Sequence, residues 1–262
     1  MALIDCKFFS ETLGTFTSMT VILPQKTSPQ IGVTNVSKGG RHKTLYLLHG
    51  FSDNHMAWLR YTSVERYAAE FGLAIVMPNG YTSFYSNMEH GGDYWTFLSE
   101  ELPAVARSLF PLSCEKEDNF VAGVSMGGYG AFKWALRKPG MFTSAGSFSG
   151  ELDMAVRTRD YEAGSPVGRA VQAIYGNRTV AGSDDDLLAL LGRQPTGINL
   201  PLLYQYCGTG DFLYAHNITF RNACQNHGRE LHYIEESGDH TWPYWDRAVE
   251  NYLKWLAGKS LL

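Results

Sequence analysis

Residues 121–128 read Val121-Ala122-Gly123-Val124-Ser125-Met126-Gly127-Gly128. The apolar run before Ser125 is typical of a buried strand, and the residues after it have the periodicity of a helix. Glycines on either side of a serine at such a junction permit a tight turn that exposes the hydroxyl at the edge of a sheet. The start of a helix also favours negative charge that develops near that serine. The stretch predicts Ser125 as a nucleophile, against the alternative of an incidental serine in a strand-to-helix turn.

Short apolar runs recur on both sides of this junction. They cover residues 45–48, 73–77, 120–124, 145–148 and 202–207, and the spacing in 230–235 suggests a last strand. Helical periodicity is found in residues 63–71, 100–110, 126–137, 212–227 and 243–256. Apolar runs of this length between helices are typical of strands buried on both faces of a parallel sheet. The order predicts a doubly wound α/β domain with helices on both faces, formed by residues 1–262 as a single unit.

Three segments depart from this alternation. Residues 8–10 and 16–23 alternate apolar and polar side chains, which predicts an antiparallel hairpin at a sheet edge. Residues 25–41 are rich in Ser, Thr, Gly and Pro and are expected to form a surface loop without a chemical role. Residues 150–200 are loop-rich, with one short helix expected near 184–191, and we expect this insertion to cap the active site.

Composition and charge bear on several classes of function. With 44% hydrophobic and 18% charged residues, the chain has the balance of a globular protein. The formal net charge is -4 and the basic residues are scattered, so neither a nucleic-acid nor a membrane partner is expected. The first seven residues lack the pattern of a signal peptide, and no apolar stretch is long enough to span a bilayer. The chain is therefore expected to be cytoplasmic and to act on small molecules.

The cysteines are well separated in the sequence. They are Cys6, Cys114, Cys207 and Cys224, and no two of them form a Cys-x-x-Cys pair. Neither a zinc site nor a redox motif is predicted from this spacing. We expect four reduced and mostly buried thiols, although an even number permits disulfides. No metal and no organic cofactor is predicted.

A serine nucleophile needs a base, normally a histidine that a carboxylate holds in one tautomer. After a serine of this kind, the acid and the histidine follow later strands, in that order. Asp211 follows the run 202–207, and His240 follows the run 230–235 and precedes the final helix. The sequence therefore predicts Ser125, Asp211 and His240 as a catalytic triad.

Two other acids could take the role of orienting the histidine. Asp239 is adjacent to His240 and would point elsewhere, which favours Asp211. Asp153, after the strand that ends at residue 148, is the next candidate.

The residues after the first parallel strand predict an oxyanion hole. The strand ends at His49-Gly50, and the backbone N–H of Phe51 would pair with that of Met126 as the two donors. An ordinary strand-exit turn is the alternative. In either case His49 is expected to brace the loop and not to catalyse.

Aromatic side chains are frequent at the same sheet edge. Trp58, Trp95 and Trp242 are the candidates for a substrate pocket, and Trp242 is favoured because it lies close to His240. Because 13% of the residues are aromatic, a role in the core is the alternative for each of them.

Five stretches carry a resemblance to a known family. They are residues 45–54, 122–136, 148–152, 207–214 and 238–245, and they occur in the family's order over most of the chain. The sequence resembles the esterase D-like branch of the α/β-hydrolases, and most closely the small bacterial tributyrin esterases. The resemblance implies the same triad, short-chain acyl esters as substrates and frequent homo-oligomers. Its other members include S-formylglutathione hydrolases, acetylxylan and feruloyl esterases and mycolyltransferases, which share the triad.

The sequence as a whole predicts a serine carboxylesterase that works through an acyl-enzyme intermediate. The alternative enzyme is an S-formylglutathione hydrolase or a related thioesterase, and an acyltransferase is possible if an alcohol outcompetes water. A non-catalytic binding protein with the same fold is the alternative from a different class.

Overall fold

The computed structural model describes residues 1–26, 31–32, 36, 39–194 and 198–262. Its strands are β1 (Ala2–Ser10), β2 (Thr15–Leu23), β3 (Thr44–Leu48), β4 (Ala74–Pro78), β5 (Asn119–Val124), β6 (Ser144–Phe148), β7 (Leu202–Gly208) and β8 (Leu231–Glu236). Its helices are α1 (Ala57–Tyr61), α2 (Val64–Phe71), α3 (Tyr94–Thr96), α4 (Leu102–Leu109), α5 (Met126–Arg137), α6 (Met154–Arg159), α7 (Pro166–Tyr175), α8 (Leu187–Arg193), α9 (Tyr214–Asn226) and α10 (Trp242–Gly258). The predicted surface loop 25–41 lies in large part outside the described residues.

The strands form one mixed sheet in the order β1-β2-β4-β3-β5-β6-β7-β8. β1 and β2 pair as an antiparallel hairpin at one edge, and β2 is also antiparallel to β4. The other pairings are parallel. The predictions of a mostly parallel sheet and of an N-terminal edge hairpin are confirmed. The hairpin is longer than expected, since β1 begins at Ala2.

Helices cover both faces of this sheet. Along β3, Leu45 and Leu47 pack on one side with α2 and α10, while Tyr46 and Leu48 pack on the other with α4, α5 and α9. Alternate side chains of a strand point to opposite faces, so a strand with helices on both sides is apolar throughout. This is why the parallel strands were recognisable as continuous apolar runs.

The sequence misplaced the helical structure before β5. A helix was predicted at 100–110, but helical structure begins at Tyr94 with α3 and continues through a π-helical turn, Phe97–Glu101, into α4. Pro103 lies in the first turn of α4 and has no N–H to donate, so the regular ladder of hydrogen bonds is interrupted there.

The segment 150–200 has more helix than expected. One short helix was predicted, but the described part of the segment contains α6, α7 and α8. The Asp153 side chain caps α6 by accepting from the Val156 N–H at 3.1 Å, and Ser165 caps α7 by accepting from the Gly168 N–H at 2.9 Å. The glycines and the proline in this segment are typical of loops, so its composition did not indicate these helices.

Among the residues that the structure describes, none of the helices has the length and apolar character needed to cross a bilayer.

Candidate active site

Ser125 lies in the turn between β5 and α5. Its backbone has φ 55° and ψ -116°, a conformation that a residue with a side chain rarely adopts. The turn brings α5 against the end of β3, and a Cβ at Gly127 would lie 2.4 Å from the Leu48 carbonyl oxygen. Gly127 is therefore required by the close approach of two backbones. The Ser125 N–H donates to the Phe148 carbonyl at 2.9 Å, which fixes the turn to β6.

Ser125, His240 and Asp211 form a continuous line of hydrogen bonds. His240 Nε2 lies 3.1 Å from Ser125 Oγ, and His240 Nδ1 lies 3.0 and 2.9 Å from the two carboxylate oxygens of Asp211. These distances are within the usual range for hydrogen bonds. The contact to both carboxylate oxygens assigns the proton to Nδ1, which leaves Nε2 free to accept from the serine hydroxyl.

Asp211 is held in its charged form. Burial alone would raise its pKa, but hydrogen bonds from His240 and Ser149 and the nearby imidazole outweigh burial, so that the pKa is lowered. The Leu213 N–H donates to Oδ1 at 2.8 Å and fixes the carboxylate further. Neither alternative acid takes this place: Asp153 caps α6, and Asp239 is exposed.

Two aromatic rings fix the plane of the His240 imidazole. The Phe212 ring centroid lies 4.4 Å from that of His240, and Trp245 approaches edge-on at 4.7 Å. Trp245 is itself held by its indole N–H, which donates to Ser149 Oγ at 3.0 Å. Aromatic contacts of this kind are favourable and restrict rotation of the imidazole. Neither residue was predicted from the sequence, although Phe212 directly follows Asp211.

The two predicted oxyanion donors face the same cavity as Ser125. Met126 is the first residue of α5, where an N–H has no partner within the helix. Among the described residues, nothing accepts a hydrogen bond from the Phe51 N–H. Both amides are thus available beside Ser125.

His49 braces the loop that carries Phe51. Its Nδ1 contacts the Gly50 carbonyl at 2.7 Å, and its Nε2 accepts from the Gly80 N–H at 2.9 Å. Burial lowers the pKa of His49 to about 4, so the imidazole is neutral at ordinary pH. Because Nε2 accepts, the proton is on Nδ1, and the ring ties two loops together.

A cavity of about 380 Å³ opens over Ser125 and His240. Its wall is mainly aromatic and aliphatic, with contributions from Phe51, Phe84, Val167, Phe212, Trp242 and Trp245. Of the three tryptophans predicted to line a pocket, only Trp242 does so. Trp58 is fully buried behind it, with the ring centroids 5.2 Å apart, and Trp95 lies under Arg137, whose guanidinium carbon is 4.0 Å from the ring centroid.

Charged side chains also line this cavity. Glu151 is buried and receives hydrogen bonds from Arg157 and from His216, whose pKa is raised chiefly by that bond. Asp53, on the loop after Gly50, is the other acid in the wall. The sequence did not predict Asp53, Glu151 or Arg157 in the pocket, because an apolar pattern gives no signal for a charged residue in a cavity.

Comparison with known proteins places the chain among esterases. An acetyl esterase of Caldicellulosiruptor saccharolyticus is 30% identical over 272 residues, covering 99% of this chain and all of that protein. Two solved structures from Staphylococcus aureus are each 35% identical and cover 97% of this chain and 98% of theirs. They are the fluorophosphonate-binding serine hydrolase F, with a TM-score of 0.87, and an S-formylglutathione hydrolase, with a TM-score of 0.84.

The fold and these relatives define a serine hydrolase of the α/β-hydrolase fold that acts on carboxylic ester bonds. The chain belongs to the Esterase family, whose model matches residues 10–256.

Proposed function

We propose that this chain is a carboxylesterase for short-chain acyl esters and that Ser125, His240 and Asp211 form its catalytic triad. The observation that carries the proposal is the unbroken line of hydrogen bonds from the Asp211 carboxylate through His240 to the Ser125 hydroxyl, which opens on a cavity. This arrangement activates a hydroxyl that is otherwise a weak nucleophile.

In the first half of the reaction, His240 Nε2 takes the Ser125 proton while Oγ bonds to the ester carbonyl carbon. The negative charge on the carbonyl oxygen is stabilised by the amides of Phe51 and Met126. His240 then gives its proton to the leaving alcohol oxygen as the carbon–oxygen bond breaks, and an acyl-enzyme remains. In the second half, water takes the place of the alcohol, and the carboxylic acid leaves from Ser125.

The dimensions of the site support small acyl groups. A volume of about 380 Å³ is at the lower end of the range for ligand cavities, and it must hold both sides of the ester. The segment 150–200 contributes Glu151, Arg157 and Val167 to the wall. We therefore propose that this segment is a cap of the single domain and that it limits the acyl chain.

Substitution of Ser125 and Asp211 tests the triad. We expect Ser125→Ala to reduce kcat for p-nitrophenyl acetate by at least about 10⁴-fold, and Asp211→Asn by about 10³- to 10⁴-fold, without unfolding the protein. Asp239→Asn removes the exposed acid next to His240 and serves as the matched control, with little expected change. Near-native turnover by a folded Ser125→Ala variant would disprove the role of Ser125.

An acyl-chain series on the purified protein tests the preference for short chains. We expect kcat/KM for p-nitrophenyl esters to fall when the acyl chain is longer than about that of butyrate.

Stoichiometric labelling of Ser125 by a fluorophosphonate would exclude a non-catalytic binding protein. Because the similar S. aureus protein is named an S-formylglutathione hydrolase, S-formylglutathione belongs in the same assay. If kcat/KM for that thioester is far above the kcat/KM for every oxygen ester, the protein is a thioesterase and the assignment as a carboxylesterase is wrong.

A further inference from the structure

Asp53 has a carboxylate beside the nucleophile that the proposed mechanism does not use. A Cβ placed on Gly50 would lie 3.4 Å from Asp53 Oδ2 and 3.5 Å from Ser125 Cβ. Asp53 Oδ2 and Ser125 Cβ are therefore separated by no more than the sum of those two distances. The carboxylate is within reach of a substituent close to the ester group of a substrate held at Ser125.

This carboxylate has no partner in the part of the chain that the structure describes. Nothing there donates a hydrogen bond to its oxygens, and no lysine, arginine or histidine pairs with it. Glu151, in the same cavity wall, differs because Arg157 and His216 both contact it. Asp53 is half-buried, and removing an acid even partly from water without a donor is unfavourable. Burial raises the pKa of Asp53 to about 6.

The surroundings of Asp53 favour a ligand as its missing partner. The wall of the same cavity includes Phe51, Phe84 and Trp242, whose rings are largely apolar and make no hydrogen bond to the carboxylate. A hydroxyl on the substrate would supply the donor. A plain alkyl group at the same place would leave the carboxylate unpaired in a drier cavity.

We propose that Asp53 is a specificity-determining residue that accepts a hydrogen bond from a hydroxyl group on the acyl or alcohol part of the ester. This inference rests on the proposed function, because it places the ester at Ser125. The favoured substrate class is a short ester with a hydroxyl near the ester group. Esters with a carboxylate in that position are disfavoured by repulsion from Asp53.

Isosteric ester pairs test the proposal, because they differ only in the hydroxyl. On the alcohol side the pair is 2-hydroxyethyl acetate and propyl acetate, and on the acyl side it is ethyl 3-hydroxybutyrate and ethyl 3-methylbutyrate. Hydrolysis is followed by pH-stat titration at pH 8 for the wild type, Asp53→Asn, Asp53→Ala and the control Asp239→Asn. The quantity compared is the ratio of kcat/KM within a pair, which a general loss of folded or active protein does not change.

We expect the wild type to prefer the hydroxylated ester in at least one pair. In that pair, Asp53→Ala should lower the ratio by about tenfold or more, and Asp53→Asn by less, because an amide oxygen still accepts a hydrogen bond. Asp239→Asn should leave the ratio unchanged. Equal ratios in the wild type and both Asp53 variants would overturn the assignment of Asp53 while leaving the esterase proposal intact. Absence of hydrolysis of every ester by the wild type would instead overturn the proposed function.

Discussion

At the scale of single residues, His49 shows how burial sets a protonation state. Its pKa of about 4 in the folded protein is below the value of about 6.5 for a free histidine. Between these two pH values the unfolded chain binds one more proton than the folded chain. The stability contributed by neutral His49 is therefore complete above pH 6.5 and is lost as the pH falls towards 4.

This difference predicts a pH-dependent effect of His49→Gln. Relative to the variant, the wild type should lose roughly 3 kcal/mol of unfolding free energy between pH 7 and pH 4. Denaturant titrations of both proteins at several pH values measure it. His90→Gln, at an exposed histidine, is the control. Parallel pH curves for the wild type and His49→Gln would show that His49 is not buried in its neutral form.

The candidate site could be predicted in part from single residues. Ser125, Asp211 and His240 were selected because each follows a strand, and the structure brings their side chains together. Trp58 and Trp95 were selected because aromatic residues are frequent at the same sheet edge, but strand order does not fix the direction of a side chain, and neither of them lines the cavity. Asp53 and Arg157 gave no signal, because a pattern of apolar residues does not indicate which charged side chains line a cavity.

At the scale of elements, a buried ion pair joins α5 to the residues that precede α8. Lys133 is completely buried, and its Nζ lies 3.0 Å from Asp185 Oδ1 and 2.7 Å from Ser86 Oγ. It also donates to the carbonyl oxygen of Phe84, a residue of the cavity wall. The helix that follows Ser125 is therefore fixed both to the segment 150–200 and to the cavity.

We predict that Lys133→Met destabilises the fold strongly. It leaves Asp185 largely buried without its cation, which should lower the unfolding free energy by about 3–5 kcal/mol. The double variant Lys133→Met/Asp185→Leu should recover part of this loss. Lys138→Met, which removes an exposed pair with Glu100, should cost less than about 1 kcal/mol. Equal losses for Lys133→Met and Lys138→Met in urea titrations would contradict the prediction.

The helices of the segment 150–200 show where prediction of elements failed. The signals for the start of α7 are present, since Ser165 is a capping residue and Pro166 follows it. Gly164 and Gly168 nevertheless suggested a loop. Position 168 in α7 has no room for a side chain, because a Cβ there would lie 2.1 Å from the Glu162 carbonyl oxygen. That carbonyl belongs to the loop directly before the helix, so the glycine reflects the path of the chain into α7, which the composition of the segment does not reveal.

At the scale of the whole molecule, the parallel sheet was the most predictable part. Its strands are buried on both faces, so their apolar runs stand out from the amphipathic helices. The family match to residues 10–256 and the two S. aureus structures agree with that architecture. The cytoplasmic location, the homo-oligomer and the single domain with its cap stay predictions.

The four cysteines give a prediction for the intact protein. All four are free in the structure, but only Cys207 and Cys224 are buried, so the expectation of mostly buried thiols holds for two. We expect dithiothreitol to leave Tm unchanged. A thiol reagent should modify exposed Cys114 rapidly, half-buried Cys6 more slowly, and the other two only after unfolding. A decrease in Tm on reduction, followed by mass spectrometry of the oxidised form, would reveal a disulfide.

The backbone of Ser125 has a consequence for the history of the family. Its positive φ is an unfavourable conformation for serine, whereas glycine adopts it readily. A descendant freed from selection for turnover would gain stability by replacing this serine with glycine. Glycine at this position in a related chain would therefore indicate a lineage that kept the fold and lost the catalytic activity.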